Sequence, residues 1–380
     1  MPFPEPDRDH AVELVTGRRR AEGLFTEARR LRDDGKGRTI TYSRKVFVPV
    51  TTLCRDTCTY CTFAKPPGAG GEYLTPADVM AIARAGEAHQ CTEALLTLGD
   101  RPEDRWPQAR KFLDSYGVDT TLDYVRMLSE QLNNETALFS HANPGLMTDV
   151  LMGALRPSNP SMGLMLENIS PRLMEPGMPH HDCPDKDPRL RMETIEASGR
   201  VRVPFTTGVL VGIGETAEEL VDSLFALEEL NRRTGSIQEI IVQNFRAKAD
   251  TRMRRNAEPT VQYFARVVAA ARWIFGPEMN LQVPPNLTED FAIYLDAGIN
   301  DWGGVSPLTI DWVNPEAPWP HLAKLRSETE VRGFTLKPRL PVYPEFIGEQ
   351  WIDQRLLPKV RNATDPGGYA RLPTLENSIT

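Results

Sequence analysis

Cysteine is scarce in this chain: five occur in 380 residues, an odd number, and three of them fall within eight positions. That spacing is poor for a disulfide framework and good for a metal, which fits a reducing compartment. Excess positive charge is also lacking, because 44 Lys and Arg face 52 Asp and Glu, for a formal net charge of −8. A nucleic-acid-binding surface needs a net basic face, so small molecules are the expected partners. No stretch approaches the ~18 consecutive apolar residues of a membrane span. The opening MPFPEPDRDH lacks the basic-then-apolar order of a secretory signal. The chain is therefore expected in the cytoplasm, with neither membrane nor nucleic acid as a partner. What is present, 40% hydrophobic and 25% charged residues, is ordinary for a fold with a sizeable core.

Residues 1–44 are polar and Arg-rich, with one amphipathic helix expected around 11–31, and read as an N-terminal extension. From residue 45 to 330, short β-branched or apolar runs alternate with helical patterns, the signature of parallel βαβ units. Strands are expected at 46–52, 93–98, 137–141, 161–166, 205–211, 239–243, 280–283 and 299–302. Thr75-Pro76-Ala77-Asp78 and Thr216-Ala217-Glu218-Glu219 have the chemistry of helix N-caps. Leu220, Leu224, Leu227 and Leu230 then recur at helical spacing, and further helices fit 122–132, 260–275 and 288–297. Eight such units predict an α/β fold, a closed (β/α)8 TIM-type barrel with its site at the C-terminal strand ends. An open six-unit barrel is the alternative. The Pro-rich residues 331–380 are expected to form an irregular C-terminal wrap.

Cys54, Cys58 and Cys61, in VPVTTLCRDTCTYCTFAK, follow the first expected strand directly, which places them in a loop at the catalytic face. Three soft thiolates suit a 4Fe-4S cluster and leave one iron without a protein ligand. A structural zinc site, the alternative, normally wants a fourth ligand, and no second cysteine pair exists. Cys91 reads as a buried small hydrophobe. Tyr60 and Phe63 flank the last cysteine and could shield a cluster or simply pack, and the Gly-rich residues 66–73 could form a cover or only a connection. His180, His181 and Cys183 lack a fourth ligand at a clear spacing, so a covering loop is the preferred reading of that tract.

The cysteine spacing, with an aromatic before the third Cys, resembles the radical S-adenosylmethionine (SAM) superfamily. Leu98-Gly99-Asp100 stands where that superfamily has a Gly-Gly-Glu-like turn holding the SAM amino group. The segment 208–215, GVLVGIGE, resembles its adenine-supporting Gly-x-Ile-x-Gly-x-x-Glu pattern, with Leu for Ile. Read without the resemblance, those glycines only allow close packing. By resemblance the cofactors are a 4Fe-4S cluster and SAM, with Gly99, Asp100, Gly208 and Gly212 at SAM; Tyr60, beside the last cysteine, and Glu167 and Arg172, which follow the fourth expected strand, are further candidates for SAM contact. For Glu167 and Arg172 an ordinary ion pair is the alternative.

The segments LTLGDRPE, FSHANPGLM, LMLENIS, IVQNFRAK, VPPNL and INDWGGVSPLTIDWVNPEAPWP, in this order, are similar to the ring-closing radical SAM subunit of the deazaflavin-forming synthases. The resemblance implies a lyase reaction in deazaflavin coenzyme biosynthesis. Hydrogen abstraction by a 5'-deoxyadenosyl radical would start cyclisation of a tyrosine-ribityluracil adduct, with loss of ammonia. It implies as partners a sister radical SAM subunit that supplies the adduct and a low-potential electron donor. The sister subunit itself, a menaquinone-pathway enzyme and a non-enzymatic iron-sulfur electron carrier are the other readings. Polar residues expected at later strand ends, His141, Asn143, Gln243, Asn244, Asn286, Asp301 and Ser306, are candidates for substrate recognition. For Asn143 and Asp301, a turn-shaping and a backbone-capping role compete with it.

Overall fold

A run rich in β-branched and aromatic residues, TITYSRKVFVPVT, forms the first strand, β1 (Thr39–Thr51). The computed structural model describes residues 4–18 and 22–371. The strands that follow are β2 (Glu93–Leu98), β3 (Phe139–Asn143), β4 (Ser161–Gly163), β5 (Phe205–Val211), β6 (Ile237–Asn244), β7 (Leu281–Gln282) and β8 (Asp301–Val305). They pair in parallel in the order β2 through β8 and then β1, and β1 closes on β2 along Lys45–Thr51. The expected eight-stranded barrel forms, and the open six-unit alternative does not. Among the described residues, no helix is long and apolar enough to cross a membrane.

The helices start where the sequence chemistry places them. Thr75 caps the helix Pro76–Ala88 in a reciprocal box with Asp78, and Thr216 with Glu219 does the same for Ala217–Thr234. The leucine stripe of the second helix, Leu220, Leu224, Leu227 and Leu230, is fully buried against the barrel. Elsewhere the boundaries move. The single helix expected at 11–31 is two, Arg8–Thr16 and Glu22–Lys36, the first ending at Gly17 in a left-handed conformation with φ of 75°. The helix expected at 288–297 shrinks to Ile293–Asp296.

Two corrections matter for the site. β1 begins at Thr39, inside the expected extension, so Lys45 lies within the barrel wall. The C-terminal wrap is not wholly irregular: residues Thr335–Arg339 form a ninth strand, β9, paired in parallel with Thr39–Ser43. β9 stands at the end of the strand order, an edge position that tolerates Pro338, which has no N–H to donate. Beyond it, Leu340, Val342, Ile352, Leu356, Leu357 and Val360 pack under Phe139 as a small core of their own. Ser161 Oγ and Gln238 Nε2 donate to the Pro341 carbonyl at 2.8 and 3.0 Å, and the Tyr343 hydroxyl donates to Glu239 at 2.7 Å. The segment after β9 thus seals the N-terminal end of the barrel.

Its anchor is Arg339. The guanidinium, almost wholly buried, donates to both oxygens of Asp301 at 2.7 and 3.0 Å and to Glu239 at 2.9 Å. Removing one member of such a set strands the others without compensation. Replacing Arg339 with Leu is expected to cost about 3–5 kcal/mol of stability, read as a lowered urea midpoint. A loss below about 1 kcal/mol, the value of an exposed pair, would show that the seal does not depend on this cation.

Candidate active site

The loop after β1 carries the three cysteines, and backbone contacts fix it from several sides. Cys61 N–H donates to Cys58 O at 3.1 Å, Thr59 N–H to Pro179 O at 3.1 Å, and Met253 N–H to Thr59 O at 3.3 Å. From β2 the chain approaches closely: a Cβ on Gly99 would stand 2.0 Å from the Leu53 carbonyl oxygen and 2.6 Å from Cys54 Cβ. Only glycine allows that approach. It brings Asp100 N–H within 3.2 Å of Cys54 Sγ, while Arg55 N–H donates to Asp100 O at 2.8 Å and the Trp106 indole to Cys54 O at 2.9 Å.

All three cysteines line one cavity of about 330 Å3 that runs down the barrel axis. Burial raises the Cys61 thiol and, with the Asp56 carboxylate, the Cys54 thiol; Cys58 is raised by its hydrogen bond to Cys183 and by burial. Cys183, in the 180–183 tract, reaches the cysteine loop by accepting from Thr57 N–H at 3.4 Å. His180 Nε2 shares a 3.0 Å hydrogen bond with the Tyr60 hydroxyl, and His181 faces Asp182. Among the described residues, no three His, Cys, Asp or Glu side chains are placed to hold one metal ion. Three thiolates that each bind a different iron need not converge on one point.

Asp100 has an unusual setting. Its Oδ2 accepts from Leu146 N–H at 3.1 Å, in space kept open by Gly145, where a Cβ would stand 2.1 Å from that oxygen. Its Oδ1 is buried and makes no hydrogen bond, with the Arg101 Nε at 3.9 Å. Burial, and then the neighbouring Asp185 carboxylate, push Asp100 up to about 7. A buried carboxylate oxygen with no donor is a costly arrangement that a cationic ligand would relieve. Opposite it, Lys186 Nζ donates to Glu167 Oε1 at 2.7 Å and Arg191 fastens the wall through Met165 O at 2.7 Å. Glu167 has φ of 65°, a left-handed conformation that a non-glycine residue adopts at a cost.

Of the residues expected to touch SAM, Tyr60, Gly99, Asp100 and Glu167 line the cavity. Arg172, Gly208 and Gly212 stand outside that lining. Arg172 pairs with both oxygens of Glu219, at 2.7 and 2.6 Å, and donates to Gly214 O, so its fork secures the turn after β5. Gly208 meets β6, where a Cβ would be 2.0 Å from Ile241 O, and Gly212 takes φ of 97° while donating to Glu215 at 2.6 Å. Of the substrate candidates, His141, Asn143, Gln243 and Asn244 line the cavity, and Asn244 Oδ1 is buried without a partner.

The other three do not line it. Asn286 donates to Asp311 and to Ala317 O, both at 3.0 Å, and Ser306 accepts from the backbone of Leu308 and Thr309 in a turn. Asp301 opens β8 instead of closing it, and so pairs with Arg339 at the opposite end of the barrel. The sequence reading missed Lys45, Glu93, Lys186, Arg191, Glu239 and Gln282, all on the cavity wall. Period-two alternation along the strands was the signal available for Lys45 and Glu93, which face each other in register.

Comparison with known proteins agrees with this geometry. Residues 48–227 match the model of the radical SAM superfamily. The chain is 51% identical over 359 residues to FO synthase from Streptomyces avermitilis, covering 91% of this chain and 42% of that protein. It thus spans less than half the length of that relative. It is 44% identical over 334 residues to 7,8-didemethyl-8-hydroxy-5-deazariboflavin synthase from Methanopyrus kandleri, covering 87% of this chain and the whole of that one. In fold it is similar to the FeFe-hydrogenase maturase HydG from Carboxydothermus hydrogenoformans, with a TM-score of 0.72 at 17% identity over 93% of this chain and 79% of that one. With a matched domain that begins in β1, and likeness across the full length of the Methanopyrus enzyme, the chain belongs to the radical SAM superfamily and, within it, to the 7,8-didemethyl-8-hydroxy-5-deazariboflavin synthase family.

Proposed function

We propose that this chain is the ring-closing half of deazaflavin synthesis, a carbon-nitrogen lyase of the reducing cytoplasm. Its substrate is 5-amino-5-(4-hydroxybenzyl)-6-(D-ribitylimino)-5,6-dihydrouracil and its product 7,8-didemethyl-8-hydroxy-5-deazariboflavin, with ammonia lost. A sister radical SAM subunit supplies the adduct, and a low-potential donor supplies the electron. The observation that carries the cofactor part of this reading is Asp100: its amide touches the Cys54 sulfur while its Oδ1 lacks a partner at the same cavity mouth. Likeness to the Methanopyrus enzyme supports the reaction itself.

The residues fit the implied group. Cys54, Cys58 and Cys61 would hold three irons of a 4Fe-4S cluster, whose positive charge would keep these buried thiols deprotonated. Bound there, the cluster and SAM supply one-electron chemistry that removes a hydrogen atom from the substrate. Asp100 Oδ1 would accept from the SAM ammonium, and Glu167, with Lys186 at 2.7 Å, would face its polar part. Tyr60, pinned by His180, closes the wall beside the last cysteine. The barrel below admits the substrate through one mouth, because the segment after β9 seals the other end.

Anaerobically reconstituted protein is expected to be brown, to cleave SAM after reduction, and to convert the adduct into a fluorescent deazaflavin. Replacing Cys58 with Ala abolishes cleavage. Coupling of free tyrosine to ribityl-diaminouracil would instead assign the sister activity, a brown but inert protein would indicate an electron carrier, and a colourless one a zinc module. For Asp100, replacement by Asn is expected to weaken SAM binding roughly 10- to 100-fold, the loss of one charged hydrogen bond, with iron content unchanged. Unchanged SAM affinity would remove Asp100 from the cofactor site.

A further inference from the structure

Below the cysteine end, the cavity wall changes character. Lys45, Glu93, Thr206, Glu239, Gln282 and Arg339 line its lower part. These groups are partly paired among themselves: Lys45 Nζ lies 2.9 Å from Glu93 Oε1, and Thr206 donates to Glu239 at 3.0 Å. His141 stands just above them on β3, and its hydrogen bonds fix which nitrogen carries the proton. Ser161 Oγ donates its one proton to the Pro341 carbonyl at 2.8 Å. Its 2.7 Å contact with His141 Nδ1 therefore has Ser161 accepting and Nδ1 bearing the hydrogen.

Burial, and then the cations Lys45 and Arg339 against the opposing pull of Glu93, hold the imidazole neutral, with its pKa down at about 4. A neutral ring protonated at Nδ1 leaves Nε2 as a bare acceptor. No hydrogen bond within the described residues engages that atom, and Gly163 keeps the space beside it open: a Cβ there would stand 3.0 Å from Nε2.

We propose that the lower part of the cavity is a polyol subsite, in which His141 Nε2 accepts from a hydroxyl of the substrate's ribityl chain. The assignment rests on the deazaflavin reading above. A flat aromatic ring placed here would bury the His141 Nε2 acceptor without a donor. A polyol offers a donor and an acceptor at each carbon, which Lys45, Gln282 and Glu93 can meet. The aromatic part of the ligand is left the upper wall, where Phe47 and Trp319 stack with centroids 5.0 Å apart. His141 so held presents Nε2 as a hydrogen-bond acceptor, and Ser161 is its positioning residue.

The test is a fluorescence titration of the anaerobic holoenzyme with two probes, the ribityl deazaflavin and the same ring system bearing an n-pentyl chain. Wild type is expected to prefer the ribityl ligand. Replacing His141 with Phe should weaken the ribityl ligand roughly 10- to 100-fold, the cost of an unmade buried hydrogen bond, and leave the pentyl ligand within about 3-fold. Replacing His141 with Gln, which keeps an acceptor near the Nε2 position, should restore most of the loss. Equal weakening of both probes, or none of the ribityl probe, overturns the subsite while the functional reading stands. If wild type binds neither probe, the functional reading falls and the subsite with it. Nitrogen NMR of the unliganded protein gives a check that needs no His141 variant. Wild type should show the Nδ1–H tautomer, and Ser161→Ala a mixture; an Nε2–H signal in wild type overturns the assignment.

Discussion

The buried contact between Arg339 and the carboxylates of Asp301 and Glu239 is the interaction on which the two ends of this molecule depend. A parallel barrel usually fills its axis with branched apolar side chains. Here the axis carries acids, amines and amides, and such groups stay inside only when paired. Arg339 arrives from β9, outside the eight-stranded ring, and neutralises acids contributed by β6 and β8. The same cation that compensates the floor also fastens the segment that closes it. Cavity depth and C-terminal structure are therefore one design.

The opposite end is organised by close backbone approach. Gly99 lets β2 press on the cysteine loop, and Gly145 leaves room for the Asp100 carboxylate. Sulfur and carboxylate are thereby held side by side by main-chain geometry, which has little freedom to drift. Loops at the mouth of a barrel are ordinarily its most mobile parts. This one is tied to Pro179, Met253, Asp100 and Trp106 at once, which suits a site that must hold reacting groups in fixed positions.

The sequence was informative wherever local periodicity decides structure. β2 and β5 fall on their expected residues, and the Thr75 and Thr216 caps form as their chemistry requires. Errors came where a boundary or a distant partner decides. Asp301 was expected at the C-terminal end of a strand at 299–302; the strand runs Asp301–Val305, so the same residue lands at the floor. A shift of a few residues along a strand carried it the length of the barrel. Arg172 was placed near the site because it follows β4, but its partner Glu219 lies 47 positions away. β9 was hidden by Pro338, which reads as a breaker until its edge position is known. The acceptor state of His141 was beyond local pattern, because it depends on Ser161 and on a carbonyl 180 residues further along.

β1 pairs with β2 soon after it is made, but its other edge waits for β8 and β9. About 300 residues separate Thr39 from Thr335, and at ~5–20 residues per second their synthesis takes roughly 15–60 s. Throughout that interval a strand rich in β-branched residues presents an unpaired edge. The loop of Cys54, Cys58 and Cys61, translated near the start, meets Met253, the last of its ties described above, only about 190 residues later. The loop's full set of ties is therefore complete only after most of the barrel has been made.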